Sequence, residues 1–210
     1  VLNDAEALAG ELDLSLGNVS FSEENGKLTI LYSKTDGSGQ VVTTTLIDQS
    51  YDKCYRITSS GNNVENYHLS VNTPASMELK LVLKDLTITP AKAIAPIQIN
   101  GASQVITYLE GENTISINIS GKSSSGLNVS PAGISVASGA KLTIDSEPGQ
   151  PGSIEVLNKK DIRWAGAAIG GDGGQDAGTI HIKGGTVIVT SASFGAAIGA
   201  SAGKSVEEIR

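Results

Sequence analysis

Gly170-Gly171-Asp172-Gly173-Gly174-Gln175-Asp176 is the stretch of this 210-residue chain whose residue types and spacing come nearest to a binding site. Two carboxylates in a glycine-rich loop offer hard oxygen ligands, and Ca2+ is the ion that such ligands suit. Calcium takes six or more oxygens, and Asp172 and Asp176 supply too few. A solvated loop is therefore the plainer expectation for this segment, with Ca2+ as its alternative. Just upstream stand Arg163 and Trp164, the only tryptophan of the chain. An exposed indole face can stack on the apolar face of a sugar ring while neighbouring polar groups bind hydroxyls. The plainer role for Trp164 is to cover the flank of the fold. The candidate ligand-binding residues are thus Trp164, Arg163, Asp172 and Asp176, and the candidate metal ligands are Asp172 and Asp176.

Other chemistries find less footing. Glu110 and Glu112 suggest the paired carboxylates of glycoside hydrolysis on one strand face, but they flank a turn-like Gly111 with no evident partner. Structural roles are expected of both. Proton abstraction beside a carbonyl, assisted by Asp-held calcium, needs a basic side chain. Lys183 and Arg163 are candidates only by default, and no acidic cluster accompanies them. His68 and His181 are far apart and read as ordinary strand residues. No Gly-x-Ser-x-Gly elbow and no His-x-x-x-His pair occurs. Cys54 is the single cysteine, which excludes an intrachain disulfide and a cysteine metal cage and suits a buried core thiol. No catalytic residue is assigned, and binding is favoured over catalysis.

The elements that must position these residues follow from composition and period. Apolar residues make up 39% of the chain but aromatics only 4%, so a core must be filled by Ile, Val, Leu and Ala. Such residues suit thin, stacked layers better than a globule around one large centre. The net charge of −7 and the lack of any basic run disfavour nucleic acid as a partner. No stretch approaches the ~18–20 apolar residues of a membrane-spanning helix.

Along the chain, Asn3 and Glu6 form a capping box, and Leu2, Ala5, Leu8, Ala9 and Leu12 share a stripe, so a short helix is expected to cap the N-terminal end. From Leu12 the period changes to two. Asn25-Gly26 is suited to a type I′ turn, and Asp36-Gly37-Ser38-Gly39 is a second turn. The strands around them predict an antiparallel meander. Beyond Tyr55 an Ala-x-Ile cassette recurs at Ile97, Ile134, Ile169 and Ile198, with Gly166-Ala167-Ala168-Ile169-Gly170 repeated unchanged as Gly195-Ala196-Ala197-Ile198-Gly199. Further β segments lie between cassettes, clearest at Thr179–Lys183 and Thr186–Thr190 around Gly184-Gly185. Three short strands in each repeat of about 30–37 residues is what one coil of a parallel β-helix requires, stacking Ile on Ile. The expected fold is all-β: a right-handed parallel β-helix over residues 54–210, preceded by an N-terminal cap of short helix and meander over 1–53. A β-sandwich is the alternative.

The stretch from Leu79 to Arg210 resembles the Gly-rich β-helix repeats of secreted and surface bacterial proteins. Gly166–Gly171 and Gly178-Thr179-Ile180-His181-Ile182-Lys183-Gly184-Gly185-Thr186-Val187 carry that resemblance, and Leu81–Ile88 with Leu109–Ile115 resembles the coils that precede such repeats. The loop at Asp172 is also similar to the Gly-Gly-x-Gly-x-Asp turn of calcium-binding β-rolls, with its second Asp displaced by one position. The resemblance implies a fold like that of pectate lyases, an extracellular or cell-surface location, and a polysaccharide or cell-surface glycan as partner in binding or adhesion. A non-binding stalk is the alternative, with a polysaccharide lyase behind it. Since Gly195–Gly199 opens a coil that residues up to Arg210 do not complete, further coils or end-to-end self-association are expected at that end.

Overall fold

The computed structural model describes residues 8–35, 38, 40–49, 52–146, 149–192 and 194–210. Among them every regular element is a β-strand and there is no helix. The chain opens with β1 (Leu8–Asp13) and β2 (Gly17–Glu24), then β3 (Lys27–Thr35) and β4 (Val41–Gln49). Thereafter strands come in sets. The first set is β5 (Cys54–Thr58), β6 (Asn63–Val64) and β7 (Leu69–Asn72); the second is β8 (Glu78–Lys84), β9 (Thr87–Ile88) and β10 (Ile97–Ile99). In the third, β11 (Gln104–Glu110) and β12 (Glu112–Ile117) lead through a small hairpin, β13 (Gly121–Lys122) and β14 (Asn128–Val129), to β15 (Ile134–Val136). The fourth is β16 (Lys141–Ser146), β17 (Ser153–Asn158) and β18 (Ile169–Gly170). The fifth is β19 (Ala177–Ile182), β20 (Thr186–Ser191) and β21 (Ile198–Gly199), and β22 (Val206–Ile209) begins again.

Each set sends one strand to each of three sheets. The first sheet runs β1-β5-β8-β11-β16-β19-β22, the second β4-β3-β2-β7-β10-β15-β18-β21, and the third β6-β9-β12-β17-β20. Pairing within all three is parallel except for β2–β3 and β3–β4. Register follows from the apolar ladders. In the second sheet Val19, Leu69, Ile97, Ile134, Ile169 and Ile198 are successive partners, so the four isoleucines picked out by the cassette do form one ladder. In the third sheet Val64, Ile88, Ile115, Val156 and Val189 line up likewise, and in the first Leu79, Val105, Leu142 and Ile180. A one-residue slip in any strand would turn its apolar set outward, which pins the register. All three ladders meet in one core. Burying each aliphatic side chain contributes ~1.5–3 kcal/mol. The void among Leu69, Leu81, Ile97 and Ile134 is only about 10 Å³, so the core is closely packed there.

Two buried asparagines bind backbone groups at the bends, where buried polar groups need partners. Buried Asn158 donates through its Nδ2 to the carbonyls of Pro131 (3.0 Å) and Gly166 (2.8 Å), tying two successive sets together. Asn113 accepts from Leu86 N–H and donates to the carbonyls of Glu110 and Ser153.

Several expectations change. The N-terminal helix does not extend over residues 8–12: these lie in β1, which pairs in parallel with β5. Leu8 and Leu12 fit a helical stripe, but parallel pairing with an existing sheet is the stronger local partner. Asn3 and Glu6 lie outside the described residues. The antiparallel meander holds for β2–β3–β4, and Asn25 (φ 55°) with Gly26 (φ 80°) makes the expected two-residue turn between paired Glu24 and Lys27. Yet β2 also pairs in parallel with β7, so the first hairpin strand belongs to the parallel ladder as well. Of the second expected turn only Ser38 lies among the described residues. Glu110 and Glu112 do not share a face: Gly111 (φ 65°) turns the chain between them, leaving Glu110 on the first sheet and Glu112 on the third. Glu110 is bound by Arg56 (2.9 Å) and Lys84 (2.7 Å). Burial opposes its ionisation, but Lys84 and Arg56 outweigh that and hold it below the usual carboxylate range. The Cys54 thiol is buried, as expected.

Candidate functional site

The outward ladder of the second sheet differs from the inward one. Beside the apolar ladder, Ser20, Ser70, Gln98, Ser135, Gly170 and Gly199 are successive partners facing the other way. The side chains run out at Gly170 for a steric reason. Its φ is +139°, and a Cβ there would lie 1.7 Å from the carbonyl oxygen of Gly199. After Gly170 the chain folds back over the sheet as a loop through Asp176.

That loop is stitched to the preceding set. Gly173 N–H donates to the Ser130 carbonyl (3.1 Å), and its Cα sits so close to Trp164 O that a Cβ would be 2.3 Å away. Asp172 accepts Ala132 N–H at Oδ1 (2.7 Å) and the Ser135 hydroxyl at Oδ2 (2.9 Å). Burial pushes the Asp172 carboxyl above the usual aspartate range, against the opposing pull of those two hydrogen bonds. Asp176 is exposed and accepts Ser205 N–H at 2.8 Å.

Two hollows flank this loop and share Asp172 and Gln175. The larger, of about 380 Å³, lies between Ile94 and Gln98, Ser123 and Ser124 of the β13–β14 hairpin, Val129–Pro131, and the Asp172 loop. The smaller, of about 170 Å³, is lined by Asn100, Ser135, Ser138, Gln175 and both aspartates. A third, of about 80 Å³, adjoins the larger at Ile94 and includes Tyr67, His68 and Lys92. Burial and the Lys92 charge hold His68 below the usual imidazole value. Together the hollows make a trough that crosses the strands of the second sheet from Asn18 to Asp176. Strand spacing of ~4.8 Å over those layers makes it roughly 20 Å long.

Of the residues singled out in the sequence, Asp172 and Asp176 come together on the smaller hollow. Trp164 and Arg163 line none of the three. The Arg163 guanidinium lies over the indole, 5.4 Å from its centroid, while the Trp164 backbone pairs with Val129 and accepts Ser130 N–H. The Trp164 backbone, rather than its indole, thus braces the loop that forms the trough wall. Gln98, Ser123 and Ser135 escape notice in the sequence because they lie apart along the chain, Gln98 in the second set and both serines in the third, and match no pattern; Gln175 stands inside the glycine-rich loop singled out in the sequence but is given no role there. Each Asp172 carboxylate oxygen accepts one protein hydrogen bond. Among the described residues no group of three His, Cys, Asp or Glu side chains is placed to hold a metal ion. No helix among them is long and apolar enough to cross a membrane. No family model, no curated protein and no solved structure matches this chain.

Proposed function

We propose that this chain is a right-handed parallel β-helix of three strands per coil that serves as an extracellular or cell-surface glycan-binding module of a bacterium. The cyclic visiting of three parallel sheets supports the architecture, and parallel crossovers are right-handed in about 98% of cases. The observation that carries the binding role is the lining of the two larger hollows. Ser, Asn and Gln side chains supply neutral donors and acceptors, Ile94, Val129 and Pro131 supply apolar contact, and neither hollow has a Lys or Arg in its lining. Hydroxyl-rich, uncharged chains satisfy such a surface, whereas in these two hollows the polyuronates that lyases attack would meet two aspartates and no cation. Lys183 and Arg163, the basic residues named for the lyase reading, line none of the three hollows.

A glycan array probed with the purified chain, with and without EDTA, tests the proposal. Retention of neutral oligosaccharides is expected, with Gln98→Ala combined with Gln175→Ala weakening it roughly tenfold, the worth of about one or two lost hydrogen bonds. A blank array, or binding indifferent to that pair, would favour the spacer reading. Dependence on EDTA would reinstate calcium.

A further inference from the structure

The second sheet ends at β4, whose outer edge meets no other strand among the described residues. Its residues from Val41 to Leu46 are exposed on both faces, Val41 at 68%, Val42 at 51% and Leu46 at 38%. Val42, Thr44 and Leu46 stand opposite Lys34, Tyr32 and Ile30 of β3, so they prolong the face that buries Tyr32 and Ile30 into open solvent. Exposed edges are ordinarily blunted by a lysine, a proline or a bulge, because a bare edge templates another strand. The segment Val41-Val42-Thr43-Thr44-Thr45-Leu46-Ile47 has no charge, no proline and no glycine. The register irregularity of this strand pair falls beyond Leu46, leaving the stretch before it regular.

The segment is also chemically palindromic. Reflected about Thr44, Thr43 meets Thr45 and Val42 meets Leu46. An antiparallel pairing of β4 with itself therefore sets aliphatic beside aliphatic and threonine beside threonine, with no like charges opposed. We propose that β4 is a self-pairing edge through which two copies of this chain join about a two-fold axis at Thr44. Such an isologous contact closes on itself, so it stops at a dimer. It merges two second sheets into one and covers the overhanging Val42 and Leu46 of each copy. The trough lies on other strands of the sheet and stays open in the dimer.

Sedimentation velocity of the full chain from low to high micromolar concentration tests this. The mass is expected to rise from the 21.5 kDa of one chain to twice that value and no further. Thr43→Lys with Thr45→Lys sets like charges against each other twice across the axis and should raise the dimer dissociation constant roughly tenfold or more. Thr43→Lys with Thr45→Glu sets opposite charges there instead and should restore the dimer. Circular dichroism melts of both variants confirm that each is folded. A wild type that stays monomeric throughout overturns the proposal. So does association that survives the paired lysines, which would point to the β20–β22 end of the stack, or a folded charge-swapped variant that fails to dimerise. Dimerisation is read without any ligand, so its outcome is independent of glycan binding.

Discussion

The same strands of the second sheet carry two ladders with opposite characters. Inward, Val19, Leu69, Ile97, Ile134, Ile169 and Ile198 repeat one solution, an aliphatic side chain on another, and all but Ile198 are buried. Outward, the series is Ser20, Ser70, Gln98, Ser135, Gly170 and Gly199, with each position meeting different loops. Ser70 donates to Ser20, Gln98 reaches back to the Ala95 carbonyl, Ser135 donates to Asp172, and Gly170 gives way to a backbone. The inner face is constrained by neighbours identical to itself, so it repeats. The outer face is constrained by whatever loop lies above it, so it diversifies, and that is where recognition can be built without disturbing the stack.

Substitutions along these strands can break or sharpen the contrast. Ile169→Asp, inward, buries an unpaired charge with no route to solvent and should cost about 4 kcal/mol or more in urea unfolding. A loss under about 1 kcal/mol would mean that the inner ladder is less closely packed than described. Gly170→Ser, outward, installs the residue already present one layer away at Ser135. It should nonetheless cost about 2–3 kcal/mol, since both the positive φ and the Gly199 carbonyl exclude a Cβ. Full tolerance of that serine would remove the distinction drawn between Gly170 and the rest of its ladder.

Asp172→Asn is a smaller and pH-dependent effect. The folded carboxyl titrates above its unfolded value, so its contribution is fully present below that value and is lost as pH rises through the folded one. Asparagine does not titrate. The stability difference between wild type and variant should therefore move in favour of wild type as pH falls from neutral towards the ordinary aspartate value of 3.8. A pH-independent difference would show that its hydrogen bonds balance the effect of burial, and one of opposite sign that they outweigh it. Last, Gln98→Ala should change stability by under about 0.5 kcal/mol while weakening glycan retention. A large thermal shift there would make Gln98 part of the scaffold.

How much of this was legible in the sequence follows from the same contrast. The isoleucine ladder could be read because its spacing repeats and its chemistry is the same at every layer. The Asn25-Gly26 turn could be read because two successive residues with φ > 0 demand that pair. The first strand was misread because Leu8 and Leu12 satisfy a helical spacing, and nothing local reveals that β5, more than forty residues on in the chain, offers a parallel partner. Trp164 was drawn into the binding site by its type alone, whereas its ring stacks with Arg163 outside the trough. The trough itself could not be read. Its walls come from the segment at Ile94, the β13–β14 hairpin and the Asp172 loop, which become neighbours only once three layers are stacked.

The entry of β2 into the parallel ladder bears on the order in which the molecule assembles. Most layers recruit the next strand from one repeat away, as Ile169 recruits Ile198, whereas Val19 finds Leu69 only across β3 to β6. Closing roughly fifty residues instead of roughly thirty costs only about 0.5 kcal/mol more in chain entropy. The larger handicap is that β2 is claimed first by its hairpin with β3, which closes locally within microseconds. The hairpin is then expected to dock as a unit onto β7. Amide exchange should accordingly be slowest at β10 and β15, which have a parallel partner on either side, and should quicken towards β2 as that unit undocks.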